Sequence, residues 1–352
     1  MKILITGICG FVGSALARAL PELLPDLTVT GVDNLLRPGA HINRAALAAQ
    51  GIACVYGDIR DPADLENLAP ADWILDAAAC PSVMAGVDGR IGSRQLLGHN
   101  LTGTANLLEL CRRWNCGLTV LSTSRVYSIP ALTHLPLEVQ QRRFTLAPSA
   151  GWPAGLTDAG IAESFSTAPP ISLYGASKLA SEILALEYGA AFGFPAIVNR
   201  CGVLAGAGQF GRADQGIFAY WIHACRERRP LQFIGFDGVG RQVRDCLHPR
   251  DLAQLLALQI RRPPAAPAPL NVSGGMDNSA SLAELDAWCQ RRFGAHTVTA
   301  HPANRPFDVP WLVLDSAAAR RQWDWRPAIK LDAILAEIAD YAEKHPDWLA
   351  RT

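Results

Sequence analysis

The chain has 352 residues, 49% hydrophobic and 18% charged, a balance that suits a globular protein with a large core and excludes a disordered majority. Its 32 basic residues equal its 32 acidic ones and no Lys/Arg run stands out, so nucleic acid is not an expected partner. The apolar stretches are short and interrupted, which argues against a membrane span.

The predicted elements alternate from the first residues onward. Lys2-Ile3-Leu4-Ile5-Thr6 is a short apolar run suited to a buried parallel strand, and a strand this early leaves no targeting segment expected. It runs into Gly7-Ile8-Cys9-Gly10-Phe11-Val12-Gly13, after which residues 14–24 take helical spacing and stop at Pro25. Strand, glycine turn, helix is the order a dinucleotide site requires. Glycines allow the tight turn and the close approach of backbone to pyrophosphate, and the helix start offers unpaired N–H groups. Gly7, Gly10, Phe11, Val12 and Gly13 are therefore candidate cofactor contacts.

A second strand over 28–32 ends at Asp33, twenty residues beyond Gly13, where a carboxylate binds the adenosine ribose hydroxyls. Its charge repels a 2′-phosphate, so NAD is favoured over NADP. Asn34 is a further candidate contact, and Arg37 is the residue that could accommodate that phosphate instead. Strands at 53–56 and 73–76 lead into Gly57-Asp58-Ile59 and Ala77-Ala78-Ala79, placing Asp58, Ile59, Ala77, Ala78 and Ala79 at the cofactor end. An amphipathic helix over 96–114, a fifth strand at 118–121 and a sixth at 196–200 continue the alternation.

The predicted fold class is thus α/β, a Rossmann-type doubly wound parallel sheet with ligands at the strands' carboxyl ends. A smaller C-terminal α/β lobe is expected beside it. The expected division is 1–200, with 247–272 returning to it, as the NAD-binding domain, and 201–246 with 273–352 as the substrate-binding lobe. A stiff proline connector at 263–269 leads into a strand at 270–272, and helical patterns recur at 282–293 and 331–341.

With only four lysines and six tyrosines in the chain, Tyr174-Gly175-Ala176-Ser177-Lys178 is informative. Four residues apart on a helix, the two side chains share one face, where the ammonium can stabilise a phenolate whose ordinary pKa is about 10. The bland alternatives are a packed helix pair and, for Thr123 at the end of the fifth strand, a plain cap. Nine cysteines without a Cys-x-x-Cys pair point to reduced thiols in a cytoplasmic protein. His223, His248, His296 and His301 show no ligand spacing with any cysteine, so no metal is expected. The long stretch between Tyr127 and Tyr174 reads as a lid or binding segment, or as a tolerated surface insertion.

Taken in order, these segments resemble the extended short-chain dehydrogenase/reductase family, in its branch of NAD-dependent nucleotide-sugar epimerases and dehydratases. The resemblance runs through Thr6-Gly7-x-x-Gly10-Phe11-x-Gly13, Gly57-Asp58-Ile59-Arg60-Asp61, Asn100-x-x-Gly103-Thr104, Ser122-Thr123-Ser124-Arg125-Val126-Tyr127, Tyr174 to Lys178, Val243-Arg244-Asp245 and Arg305-Pro306-Phe307-Asp308. Gln209-Phe210-Gly211-Arg212-Ala213-Asp214-Gln215-Gly216 is most similar to the CDP-tyvelose (CDP-paratose) 2-epimerase subgroup.

The resemblance implies Thr123, Tyr174 and Lys178 as the catalytic set. Asn100, Ser122, Tyr174 and Lys178 join the cofactor contacts. Thr123, Arg200, Gln209, Arg212, Gln215, Arg244 and Arg305 become substrate contacts, although Arg244 and Arg305 could instead pair with Asp245 or Asp308. It implies a nucleotide-sugar substrate and a homodimer through the helices around 100–114 and 174–192. Ser124 and Arg125 stand where the family's dehydratases carry acids, which argues against 4,6-dehydration. Asp76, Val203 and Ala205 replace the family's frequent histidine, asparagine and tyrosine.

The expected activity is epimerisation through a transient ketone, most like C2 of a CDP-deoxyhexose. The rivals are a UDP-sugar 4-epimerase, a net reductase or dehydrogenase, and a non-catalytic NAD-binding scaffold or regulator.

Overall fold

In the computed structural model, which describes residues 1–148, 151–212 and 215–351, the opening apolar run becomes β1 (Lys2–Thr6), buried from Ile3 onward. It lies inside a seven-stranded sheet with β2 (Thr28–Asp33), β3 (Ala53–Tyr56), β4 (Trp73–Asp76), β5 (Gly117–Thr123), β6 (Ala196–Cys201) and β7 (Leu270–Val272). The strand order is β3-β2-β1-β4-β5-β6-β7, and every pairing is parallel. Helices α1 (Phe11–Leu23), α2 (Gly103–Trp114), α3 (Ser172–Phe192) and α4 (Pro249–Arg261) cover it. Apolar residues of α1 and α4 pack one face, and those of α2 and α3 pack the other. Burial on both faces is why the central strands read as unbroken apolar runs and not as alternating ones.

Strand order reverses between β1 and β4, so their carboxyl ends splay into a crevice, the usual ligand position in such sheets. The predicted helix at 96–114 is interrupted. Ser93–Leu97 is α-helical, Gly98–Thr102 forms a π turn, and α2 follows. The π turn holds Asn100 fully inside, where its Nδ2 donates to Cys80 O (3.1 Å) and Ser177 Oγ (3.1 Å).

The remaining C-terminal segments build a second, smaller sheet from Val203–Leu204, Val243–Leu247, Ser279–Ser281 and Trp311–Leu312. Helices Ile217–Arg226, Leu282–Phe293 and Leu331–Lys344 close a separate core there. Leu282–Phe293 starts where the sequence predicts because Ser281 and Glu284 form a reciprocal capping box. The stretch between Tyr127 and Tyr174 folds as a short helix and small hairpins. Leu132, Leu135, Leu156, Ile161 and Phe165 pack on Trp311 and Leu312, which fastens it to the second sheet. No helix among the described residues is long and apolar enough to cross a membrane.

Candidate active site

A cleft of about 1020 Å³ runs from the carboxyl ends of β1, β2 and β4 to the C-terminal sheet. Its cofactor end is backbone. Gly7 adopts φ +61°, and a Cβ there would lie 2.8 Å from Ala78 Cα; a Cβ on Gly13 would lie 2.3 Å from Gly7 O. Gly10 precedes α1 with no side-chain cap, so the first N–H groups of the helix keep their donor capacity for an anion. Phe11, Val12, Ala77, Ala78, Ala79 and Ile59 complete the walls.

Asp33 sits at the end of β2 with Oδ2 accepting from Cys9 N–H and Oδ1 from Leu35 N–H, both at 2.8 Å. Burial pushes its pKa up, and those two N–H donors oppose the shift. Asn34 and Arg37 line the same end. Asp58 does not line the cleft. It pairs with Arg60 at 2.6 Å and accepts from Asn34 Nδ2 at 3.0 Å, so it supports a lining residue from behind. Asn100 is likewise a buried brace between the Cys80 wall and α3. Asp76, where the family often has histidine, is held by hydroxyls of Thr6 and Thr104, each at 2.9 Å.

The wall that carries Thr123 and Tyr174 is built where β5 meets α3. Thr123 is the last residue of β5, and its Oγ1 accepts from Arg125 N–H at 3.1 Å, with the Tyr174 phenol set against its side chain. A Cβ on Gly175 would lie 2.3 Å from Arg125 O, so only glycine lets α3 approach this turn and bring Tyr174 over Thr123. Burial pushes the Tyr174 phenol up to about 12, while the Thr123 hydroxyl and the Arg125 charge pull it down. Lys178 lies one turn on from Tyr174, buried beneath the cleft beside Cys201. Ser122 lines the cleft and donates to Glu182.

Arg125 is the lining residue that the motif reading left without a role. Its guanidinium donates to Phe307 O and faces Arg244, Asp308 and Tyr174. Burial, with Arg244 adding repulsion, pulls it down to about 10, which still leaves it charged at neutral pH. Thr-Ser-Arg in place of an acidic pair was the signal available in the sequence.

Arg244 and Arg305 both line the substrate end. Arg244 is also paired with Asp308 at 2.7 Å, realising the ion pair considered for it. Gln209, Arg212 and Gln215 line the middle, and Gln209 donates to Leu204 O at 2.8 Å while its buried Oε1 has no partner among the described residues. Arg200 is a correction. It lies away from the cleft walls, locked on Glu182 at 2.7 Å, with its guanidinium over the Tyr127 ring. A carboxylate on the buried face of α3 claims this cation, which leaves it nothing for a substrate.

Residues 3–273 match the family model for the NAD dependent epimerase/dehydratase family. The chain is 29% identical to CDP-paratose 2-epimerase of Salmonella typhi, over 99% of both chains. It is 27% identical to UDP-glucose 4-epimerase of Azospirillum brasilense, over 95% of this chain and 90% of that one. Among solved structures it superposes on UDP-glucuronic acid 4-epimerase of Bacillus cereus, in complex with UDP-glucuronic acid and NAD, with a TM-score of 0.78 at 22% identity, covering 98% of this chain and 99% of that one.

Proposed function

The chain belongs to the NAD dependent epimerase/dehydratase family, and from that premise we propose that it epimerises a nucleotide-diphosphate sugar through a transient ketone, at C2 of a CDP-deoxyhexose. The observation that carries this reading is that Thr123 and Tyr174 face each other in one cleft with the glycine cradle and Asp33. The site fits NAD: Gly7 and Gly13, where a Cβ would strike the backbone of Ala78 or Gly7, keep the turn tight before the uncapped start of α1, and Asp33 suits two free ribose hydroxyls.

NAD, when bound, supplies a reversible hydride acceptor beside the sugar. The chain's own residues handle the proton. Tyr174 Oη takes it from the sugar hydroxyl as the ketone forms and returns it when the hydroxyl is restored. Thr123 orients the phenol and the reacting oxygen, and Lys178 and Arg125 supply positive charge beside the phenolate. Arg244 and Arg305 offer guanidinium forks to the diphosphate. Neither Ser124 nor Arg125 can pass the proton that loss of water requires, which favours epimerisation over 4,6-dehydration.

The CDP and C2 assignment draws on the Gln209–Gly216 segment and on the full-length likeness to CDP-paratose 2-epimerase. A UDP-sugar 4-epimerase is the second reading, favoured by the likeness to UDP-glucose 4-epimerase. Incubation with CDP-, UDP-, GDP- and dTDP-sugars, with products followed by NMR, separates them. Stoichiometric NADH would instead mark a net redox enzyme, and binding without hydride transfer on any sugar would leave a scaffold. A homodimer is part of the proposal, since Ile183 and Phe192 of α3 expose about half their surface; sedimentation at micromolar concentration tests it.

A further inference from the structure

Residues 205–210 cross from the C-terminal lobe to the cofactor end of the cleft, and both ends of this strap are fastened. On the cofactor side, Arg37 Nη2 donates to Phe210 O at 3.1 Å. Gly39, at φ +85°, lies so close to the Phe210 ring that a Cβ would sit 2.7 Å from Cε1. A Cβ on Gly206 would lie 3.2 Å from His248 Nε2 and 3.4 Å from Phe11 Cζ. On the other side, Trp348 Nε1 donates to Gln209 O at 2.9 Å, and its indole stacks on Phe210 with centroids 5.7 Å apart at 25°. Glu337 accepts from Ala207 N–H at 3.1 Å and meets His248 Nε2 at 3.0 Å. Trp348 itself is 2% exposed, packed on Tyr341 and His223.

Phe11, Arg37, Gln209 and Phe210 all line the cleft, so Glu337 of the helix Leu331–Lys344 and Trp348 of the short helix Trp348–Arg351 bear on the wall of the cofactor pocket from behind. We infer that Trp348 is a positioning residue for the cofactor, holding the 205–210 strap over the Asp33 end of the cleft and slowing NAD release. The inference rests on the redox-neutral reading above. A cofactor that ends each cycle as it began need not leave, whereas a net redox enzyme must open this wall at every turnover.

The test uses the full chain and NAD alone. Protein loaded with NAD is passed rapidly over a desalting column, and the nucleotide retained is followed by chromatography over time. Trp348→Ala is expected to speed release about tenfold or more, and Trp348→Phe, which keeps the stack but loses the Gln209 hydrogen bond, less than that. Circular dichroism and melting of the NAD-free protein separate a loosened strap from a damaged fold. Glu337→Ala removes the strap's other anchor from a half-exposed surface position and is expected to speed release about threefold.

Release at the wild-type rate from folded Trp348→Ala overturns the inference. So does a wild-type rate from Glu337→Ala should the tryptophan variant not fold. Because no sugar is present, a sugar panel without turnover would sink the proposed activity while leaving this result to stand or fall alone.

Discussion

The two ends of the cleft are made of different material. The cofactor end is backbone: glycines with no room for a Cβ, the start of a helix, and one carboxylate fixed by two N–H groups. The substrate end is side chains from segments far apart in sequence, and most of its cations already have partners, as Arg244 has Asp308. A backbone site has one shape and tolerates little substitution. A side-chain site is set by which of several partners each charge takes, and it can be retuned by exchanging one residue. Such a division lets a scaffold change what its side-chain end accepts while its backbone end stays the same.

Variants sharpen that contrast. The largest effect is expected where the two ends meet: Tyr174→Phe should cut turnover about 10⁴-fold while the protein still purifies with nucleotide, because the proposed mechanism gives the phenol oxygen proton transfer and no part in the cradle. Loss of nucleotide with retained turnover would break the comparison at its root.

Arg200→Met comes next. It strands the Glu182 carboxylate, 2% exposed, and should cost about 3–5 kcal/mol of stability in denaturant melts. Once folded, the variant should keep its KM for the sugar; a selective rise in KM would return Arg200 to the substrate site.

His223 is expected to make the C-terminal lobe acid-sensitive. Its ring is 1% exposed, neither nitrogen has a partner among the described residues, and burial pushes it down to about 4. The unfolded chain, with an ordinary histidine pKa near 6.5, binds the proton more readily. The neutral ring's contribution is therefore whole above about pH 6.5 and is lost as pH falls toward 4, by on the order of 2–3 kcal/mol. Melting followed from pH 7 to 4 should show the decline, and His223→Phe should flatten it. An unchanged slope would mean another group is responsible.

The smallest effect belongs to Arg244→Gln. It should raise KM for the nucleotide sugar about tenfold, with NAD affinity unmoved, since its partner Asp308 already takes part of its charge. An equal loss for both ligands would mean that the two ends are not separable.

The catalytic roles of Thr123, Tyr174 and Lys178 entered through the family resemblance, whereas glycine spacing, the acid at the end of the second strand and the Tyr174–Lys178 spacing could be read from the chain by itself. Each depends on steric freedom or on neighbours one helical turn or one strand end away, which local sequence encodes. Arg200 reads as a substrate arginine until the fold sets Glu182 beneath it. The long stretch after Tyr127 reads as a lid, a binding segment or a surface insertion, and only the fold shows its apolar residues meeting Trp311 and Leu312. Trp348, near the far end of the chain, reads as nothing until it reaches Gln209 and Phe210. Those outcomes are choices between partners distant in sequence, and only burial in a shared core, where an unpaired charge or an unpacked ring is costly, makes the choice.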